Sequence, residues 1–314
     1  MRLTLALVAL MAVPAMAQQT PPAPAPAKAD QNAPDSHGDG PFAAIKEVDP
    51  GLPRHVVYRP AALDALDKGK LGVVVWGNGG CSGDGAGARQ HLLELASYGY
   101  VVIAPGDIRS GPGATAKAPP RPAPAAGKML PPIETTAEDV RAGIDWALAE
   151  NNRAGSRYRG RIDPKMVAVA GHSCGGLQAL QLAADPRVRT VMVHNSGIFA
   201  DGSNPITGMT VDKTLLGTLH TPVIYVMGGP SDIAWPNGTD DVRRIETVPV
   251  FLASLDVGHG GTFGEANGGP VGKLSAAWLE WQLRGNAAAA RTFTGKDCTL
   301  CSDPRWKIER KRID

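Results

Sequence analysis

Six short, strongly apolar runs recur along the chain: residues 71–76 (LGVVVW), 100–103 (YVVI), 166–170 (MVAVA), 190–193 (TVMV), 223–226 (VIYV) and 248–252 (VPVFL). Each is too short for a buried helix and lacks polar alternation, the pattern of strands covered on both faces. Helix-forming segments lie between them. Thr135-Thr136-Ala137-Glu138 has the form of a capping box, and behind it Val140, Ile144 and Leu148 recur every fourth residue on one helical stripe. Residues 88–98 read as a helix that stops at Gly99, and residues 271–284 put Leu274, Ala277, Trp278 and Trp281 on one face. Strands alternating with helices in this way predict an α/β fold, a mostly parallel central sheet with helices on both faces. No internal repeat is visible.

The ends of the chain read differently. Met1 and Arg2 precede an apolar stretch over 3–13 and the small-residue triplet Ala15-Met16-Ala17, which predicts a cleavable signal peptide over residues 1–17. The stretch is shorter than the roughly 20 residues of a transmembrane helix, and no other segment approaches that length. A secreted or periplasmic protein is expected, in a compartment where the four cysteines can form disulfides. Residues 18–40 hold almost no large apolar side chain and predict a disordered Pro/Ala-rich linker. The catalytic domain is expected over 41–290, interrupted by an exposed Pro/Ala-rich insertion within 107–132, and 291–314 form a C-terminal segment. Its basic stretch 305–312 reads as a solvated face. With 32 Lys plus Arg against 30 Asp plus Glu and only 5% aromatics, the chain has neither the field nor the stacking surface for nucleic acid.

Gly171-His172-Ser173-Cys174-Gly175 fits G-x-S-x-G between the run 166–170 and a helix-like segment from Gly176. A serine at a sharp strand-to-helix turn is lifted clear of the sheet, and glycines flank it because side chains there would collide with neighbouring backbone. Its hydroxyl needs a base. Of seven histidines, His259 alone follows the serine within a glycine-rich loop (VGHGG) after the last apolar run; His37, His55, His91, His172, His194 and His220 read as structural or as part of the turn itself. The acid belongs between them at a strand end. Asp232 follows the run 223–226 through Met227-Gly228-Gly229-Pro230-Ser231, and Asp256, three residues before His259, is its rival. Gly77-Asn78-Gly79-Gly80-Cys81 follows the run 71–76, and a loop this small brings backbone N–H groups close to a ligand. The N–H groups of Cys174 and Asn78 are the expected oxyanion-hole donors. No phosphate-loop or dinucleotide fingerprint is present.

Ser173, Asp232 and His259 in that order, the GNGG loop, and Leu95-Ala96-Ser97-Tyr98-Gly99-Tyr100-Val101-Val102-Ile103 resemble a secreted α/β-hydrolase across residues 55–285. Within that superfamily the chain is similar to the dienelactone-hydrolase and cutinase/chlorophyllase/polyester-hydrolase branch. The resemblance implies the α/β-hydrolase fold and cleavage of carboxylic esters, small or polymeric, with no metal and no organic cofactor. Cys174 departs from the apolar residue of many relatives, and dienelactone hydrolases use a cysteine nucleophile where this chain has Ser173. Lactone hydrolysis is therefore not the inference.

Cys81 and Cys174 belong to the two segments expected to meet at the oxyanion hole, either as a disulfide or as two free thiols. Cys298 and Cys301 form a lone C-x-x-C, too few ligands for zinc, and are expected to staple the C-terminal segment. Trp76, Trp235, Phe263 and the loop after Asn195 are pocket candidates by position. The functional expectation is a secreted serine esterase working through an acyl-enzyme. The alternatives are a peptidase or amidase on the same fold, or a non-catalytic binding module that keeps the fold.

Overall fold

A computed structural model describes residues 33–115 and 117–314. The expected signal peptide and most of the expected linker lie outside the described residues. In chain order the elements are β1 (Ala44–Glu47), β2 (His55–Pro60), β3 (Leu71–Gly77), α1 (Arg89–Ser97), β4 (Tyr100–Pro105), α2 (Ala137–Asn152), β5 (Ile162–His172), α3 (Cys174–Gln181), β6 (Thr190–His194), β7 (Val223–Met227), α4 (Trp235–Arg244), β8 (Val250–Leu255), α5 (Gly269–Arg284), α6 (Ala287–Ala290) and β9 (Trp306–Lys311). The strands form one mixed sheet in the order β1-β2-β4-β3-β5-β6-β7-β8-β9. β3 to β8 are mutually parallel; β2 runs antiparallel to β4, and β1 and β9 close the two edges antiparallel.

The uninterrupted apolar runs have their cause in two cores. Val73, Val75, Val167 and Val169 face one, with α2, α3 and α4; Val74, Trp76, Ala168 and Ala170 face the other, with α1 and α5. Successive side chains of a strand point to opposite faces, so a strand covered on both sides favours an apolar residue at every position unless a polar one finds a buried partner.

Three expectations are corrected. The capping box sits one residue later than its sequence form. Thr136 is the N-cap, its hydroxyl accepting from Asp139 N at 3.2 Å while the Asp139 carboxylate accepts from Thr136 N at 2.8 Å. Residues 33–40, assigned to the disordered linker, instead lie along α1. Ser36 N donates to Gln90 Oε1, Asp39 N to Glu94 Oε2 and Gly40 N to Ser97 Oγ, at 2.7–2.9 Å. Polar side chains on one face of α1 satisfy that backbone where apolar side chains do not. The basic stretch 305–312 is more than a solvated face: it contains β9, whose Lys307 and Glu309 are exposed while its other face turns inward. Trp306 and Ile308 pack on the core, and Lys311 Nζ donates to the carbonyls of Val242, Arg243 and Ile245 at the C-terminal end of α4, where a cation is favoured.

Candidate active site

Ser173 occupies the turn between β5 and α3 with φ 54° and ψ −122°, a conformation that L-residues rarely adopt. The surrounding packing holds it there. A Cβ on Gly171 would stand 2.1 Å from Gly175 O, and one on Gly175 would stand 2.0 Å from the carbonyl of Gly77. Glycine is thus required at both positions for β3, β5 and α3 to approach. Ser173 N donates to His194 O at 2.9 Å, and Ser196 Oγ donates to Ser173 O at 2.6 Å, so the turn is anchored to the end of β6.

His259 Nε2 lies 2.9 Å from Ser173 Oγ, and His259 Nδ1 lies 2.6 Å from Asp232 Oδ1. Asp232 is buried at the end of β7 and also accepts from Ala234 N at 2.9 Å and Gly228 N at 3.1 Å. Burial alone would raise its pKa; the hydrogen bonds from His259, Ala234 and Gly228 outweigh it and hold the carboxyl below its ordinary value. With Nδ1–H facing the carboxylate, Nε2 is the acceptor for the serine hydroxyl. Asp256, the rival acid, is exposed and meets Ser231 Oγ at 3.4 Å rather than the imidazole.

His172, His91 and His194 have structural surroundings. His172 Nε2 donates to His259 O at 2.8 Å, fixing the loop that carries His259; burial, with His259 nearby, pushes its pKa down to about 4. Burial also drives His91 down to about 3 and His194 well below its ordinary value, and both rings pack against Trp76. His172 as the anchor of His259 was not legible in the sequence beyond its place in the G-x-S-x-G motif.

Cys81 and Cys174 are joined in a disulfide, which resolves the open alternative. Cys81 O accepts from Glu134 N at 2.9 Å and Thr135 N at 3.1 Å, so the loop after β3 is tied both to α3 and to the approach to α2. Cys174 N is the first N–H of α3 and has no partner within the helix. The Asn78 backbone nitrogen lies 2.7 Å from where a Gly175 Cβ would stand; its side chain donates to Ser82 O and Pro105 O and so shapes the loop. Cys298 and Cys301 form the second disulfide beside β9. Among the described residues, no group of three or more His, Cys, Asp or Glu side chains could hold a metal ion.

A cleft of about 280 Å³ opens at Ser173 and His259, with Leu177 and the segment 195–197 below and Leu130, Phe199, Ile206 and Ile233 around it. Of the positional pocket candidates, the loop after Asn195 is there, but Trp76 and Phe263 line a separate cavity on the far side of His172. Trp235 opens α4 and packs against the core. α4 has no apolar stripe that marks it in the sequence, and Pro236 in its first turn is its one helix-start signal. α4 supports the cleft. Its buried Asp241 accepts from Ile198 N at 2.8 Å, Lys213 Nζ at 2.6 Å and Tyr225 Oη at 3.1 Å, and Asn237 Oδ1 accepts from Ala200 N at 3.0 Å.

No protein-family model matches the sequence, and no curated protein matches it either.

Proposed function

We propose that the chain is a secreted serine hydrolase of the α/β-hydrolase fold, cleaving carboxylic esters through an acyl-enzyme. The observation that carries this reading is the unbroken relay Ser173 Oγ to His259 Nε2 at 2.9 Å and His259 Nδ1 to Asp232 Oδ1 at 2.6 Å, opening on a cleft. The strained serine at a strand-to-helix turn, the order Ser, Asp, His along the chain, and the loop after β3 beside the turn support the fold assignment. Two disulfides fit an oxidising compartment.

In the proposed mechanism His259 Nε2 takes the proton of Ser173 as Oγ adds to the ester carbonyl. Asp232 keeps Nδ1 protonated and stabilises the imidazolium. The oxyanion faces the N–H groups of Cys174 and Asn78, held in place by the Cys81–Cys174 bond. His259 then protonates the departing alcohol, and water, activated by the same nitrogen, releases the acid from Ser173. The test is hydrolysis of p-nitrophenyl esters by the mature protein. Ser173→Ala should lower kcat by a factor on the order of 10⁴ or more, and a variant that retains substantial turnover overturns the assignment.

A further inference from the structure

The outer wall of the Ser173 cleft is made by two loops fastened to each other. Met129 N donates to Pro205 O at 3.0 Å, Leu130 and Ile206 pair as a parallel β-bridge, and Lys128 Nζ donates to Asn204 O at 2.8 Å. This seam joins the end of the Pro/Ala-rich insertion to the loop after β6 and brings Leu130 and Ile206 together on the cleft. The insertion is also anchored at Arg121, which donates to Gly80 O at 3.1 Å and Pro132 O at 3.2 Å and pairs with Glu134 at 3.2 Å. Gly80 belongs to the loop of the proposed oxyanion donor. The insertion is therefore built into the site at both its apolar wall and its polar end.

Among the described residues, no Asp, Glu, Lys or Arg side chain lines the cleft. A charged group entering it would lose hydration with no oppositely charged side chain to replace it, whereas methylenes gain by leaving water. At its mouth Met129 and Ile233 stand 53% and 64% exposed, large apolar side chains held in solvent beside the catalytic residues. A dry cavity of about 150 Å³ lined by Leu, Ile and Phe takes benzene. By that measure the 280 Å³ here has room for about ten apolar heavy atoms.

We infer that, given the ester-hydrolase reading above, this cleft is an acyl site for uncharged apolar acyl groups, with Leu130 and Ile206 as its specificity-determining residues. The insertion supplies half of that pair and the loop after β6 the other half.

Two p-nitrophenyl esters of equal length separate the possibilities: the hexanoate, and the mono-ester of adipic acid, whose chain ends in a carboxylate. Labelling of Ser173 by a small alkyl fluorophosphonate is measured on the same samples and reads the nucleophile independently of acyl preference. The hexanoate should show a kcat/KM at least about 100-fold higher. Ile206→Lys, which places a cation in the wall, should shrink that ratio at least about tenfold, and Ile206→Ala should move the optimum of an acetyl-to-dodecanoyl series to longer chains. Labelling reports whether each variant retains a folded site. Labelled protein that turns over both esters equally, or whose ratio and chain-length optimum ignore both substitutions, overturns the acyl-site assignment and leaves the hydrolase reading intact. Labelled protein with no ester turnover also overturns the acyl site. Failure of wild-type labelling and turnover together overturns both.

Discussion

Removing the Cys81–Cys174 disulfide tests the architecture around Ser173 most directly. The two cysteines are 93 residues apart and both are buried. Closing a loop of that length removes unfolded-chain entropy worth about 4.6 kcal/mol at room temperature. The vacated sulfur volume in Cys81→Ala/Cys174→Ala adds roughly 1 kcal/mol. Against a typical total of about 5–15 kcal/mol, that is a large share of the stability. Urea melts followed by circular dichroism should show a lowered midpoint, and Tm should fall by about 10–15 °C. The second disulfide provides an internal scale, because Cys298 and Cys301 are only 3 residues apart and the same relation gives about 2 kcal/mol. A Cys81/Cys174 loss no greater than that of Cys298→Ala/Cys301→Ala refutes the loop-entropy argument. Because the bond also ties the loop at Gly79–Cys81 to the first residue of α3, ester turnover in the first variant should fall in kcat more than it rises in KM.

The glycine packing at the turn makes a second test: Gly175→Ala should cost about 1–3 kcal/mol and most activity, since its Cβ would stand 2.0 Å from the Gly77 carbonyl. Gly217→Ala, with open space around it, should be silent in the same melts, and equal effects would sink the steric account. For the capping box, Thr136→Ala should cost about 1 kcal/mol, whereas Thr135→Val, replacing a hydroxyl that has no partner among the described residues, should be neutral or stabilising. The reverse order would restore the earlier register. Asp241 gives a pH test. Burial, opposed by Lys213, Ile198 N–H and Tyr225, lifts its carboxyl from 3.8 to about 6. An acid whose folded pKa is raised binds more protons in the folded state, so its contribution to stability is lost as pH rises from about 4 through 6. The total is on the order of 3 kcal/mol. Asp241→Asn should therefore gain on wild type between pH 4 and pH 7, and a pH-independent difference in urea midpoints counts against it.

What the sequence discloses about this chain follows from how local the constraint is. β3 to β8 are legible because both their faces are buried, so the runs are almost entirely apolar, and Thr190 is accommodated by a hydrogen bond to Pro222 O. The turn at Ser173 is legible because its steric demands are met by residue identity within five positions, glycine at 171 and 175 around the serine. β2 is equally buried but carries His55, Arg59 and Pro60. Its arginine is tolerated only because Glu47 of β1 receives it through two hydrogen bonds at 2.8 and 2.9 Å and the carbonyls of Pro60 and Ala61 take the rest. No window around residue 59 contains that partner. β9 is a basic segment whose period-two pattern, Trp306 and Ile308 inward with Lys307 and Glu309 between, is outweighed by its charge until β8 is there to pair with it. α4, with a proline, a glycine and two aspartates in ten residues, has little intrinsic helical preference; it is held by what Asp241 and Asn237 accept from the loop after β6. The cleft depends most on distant partners. Leu130 becomes a wall residue through its seam with the loop at Ile206, and the insertion joins the site through that seam and through Arg121 on Gly80. A single sequence therefore locates the groups proposed to react, whose geometry is set by their immediate neighbours. The groups that line the cleft are set by contacts between loops, and those are invisible until the chain has folded.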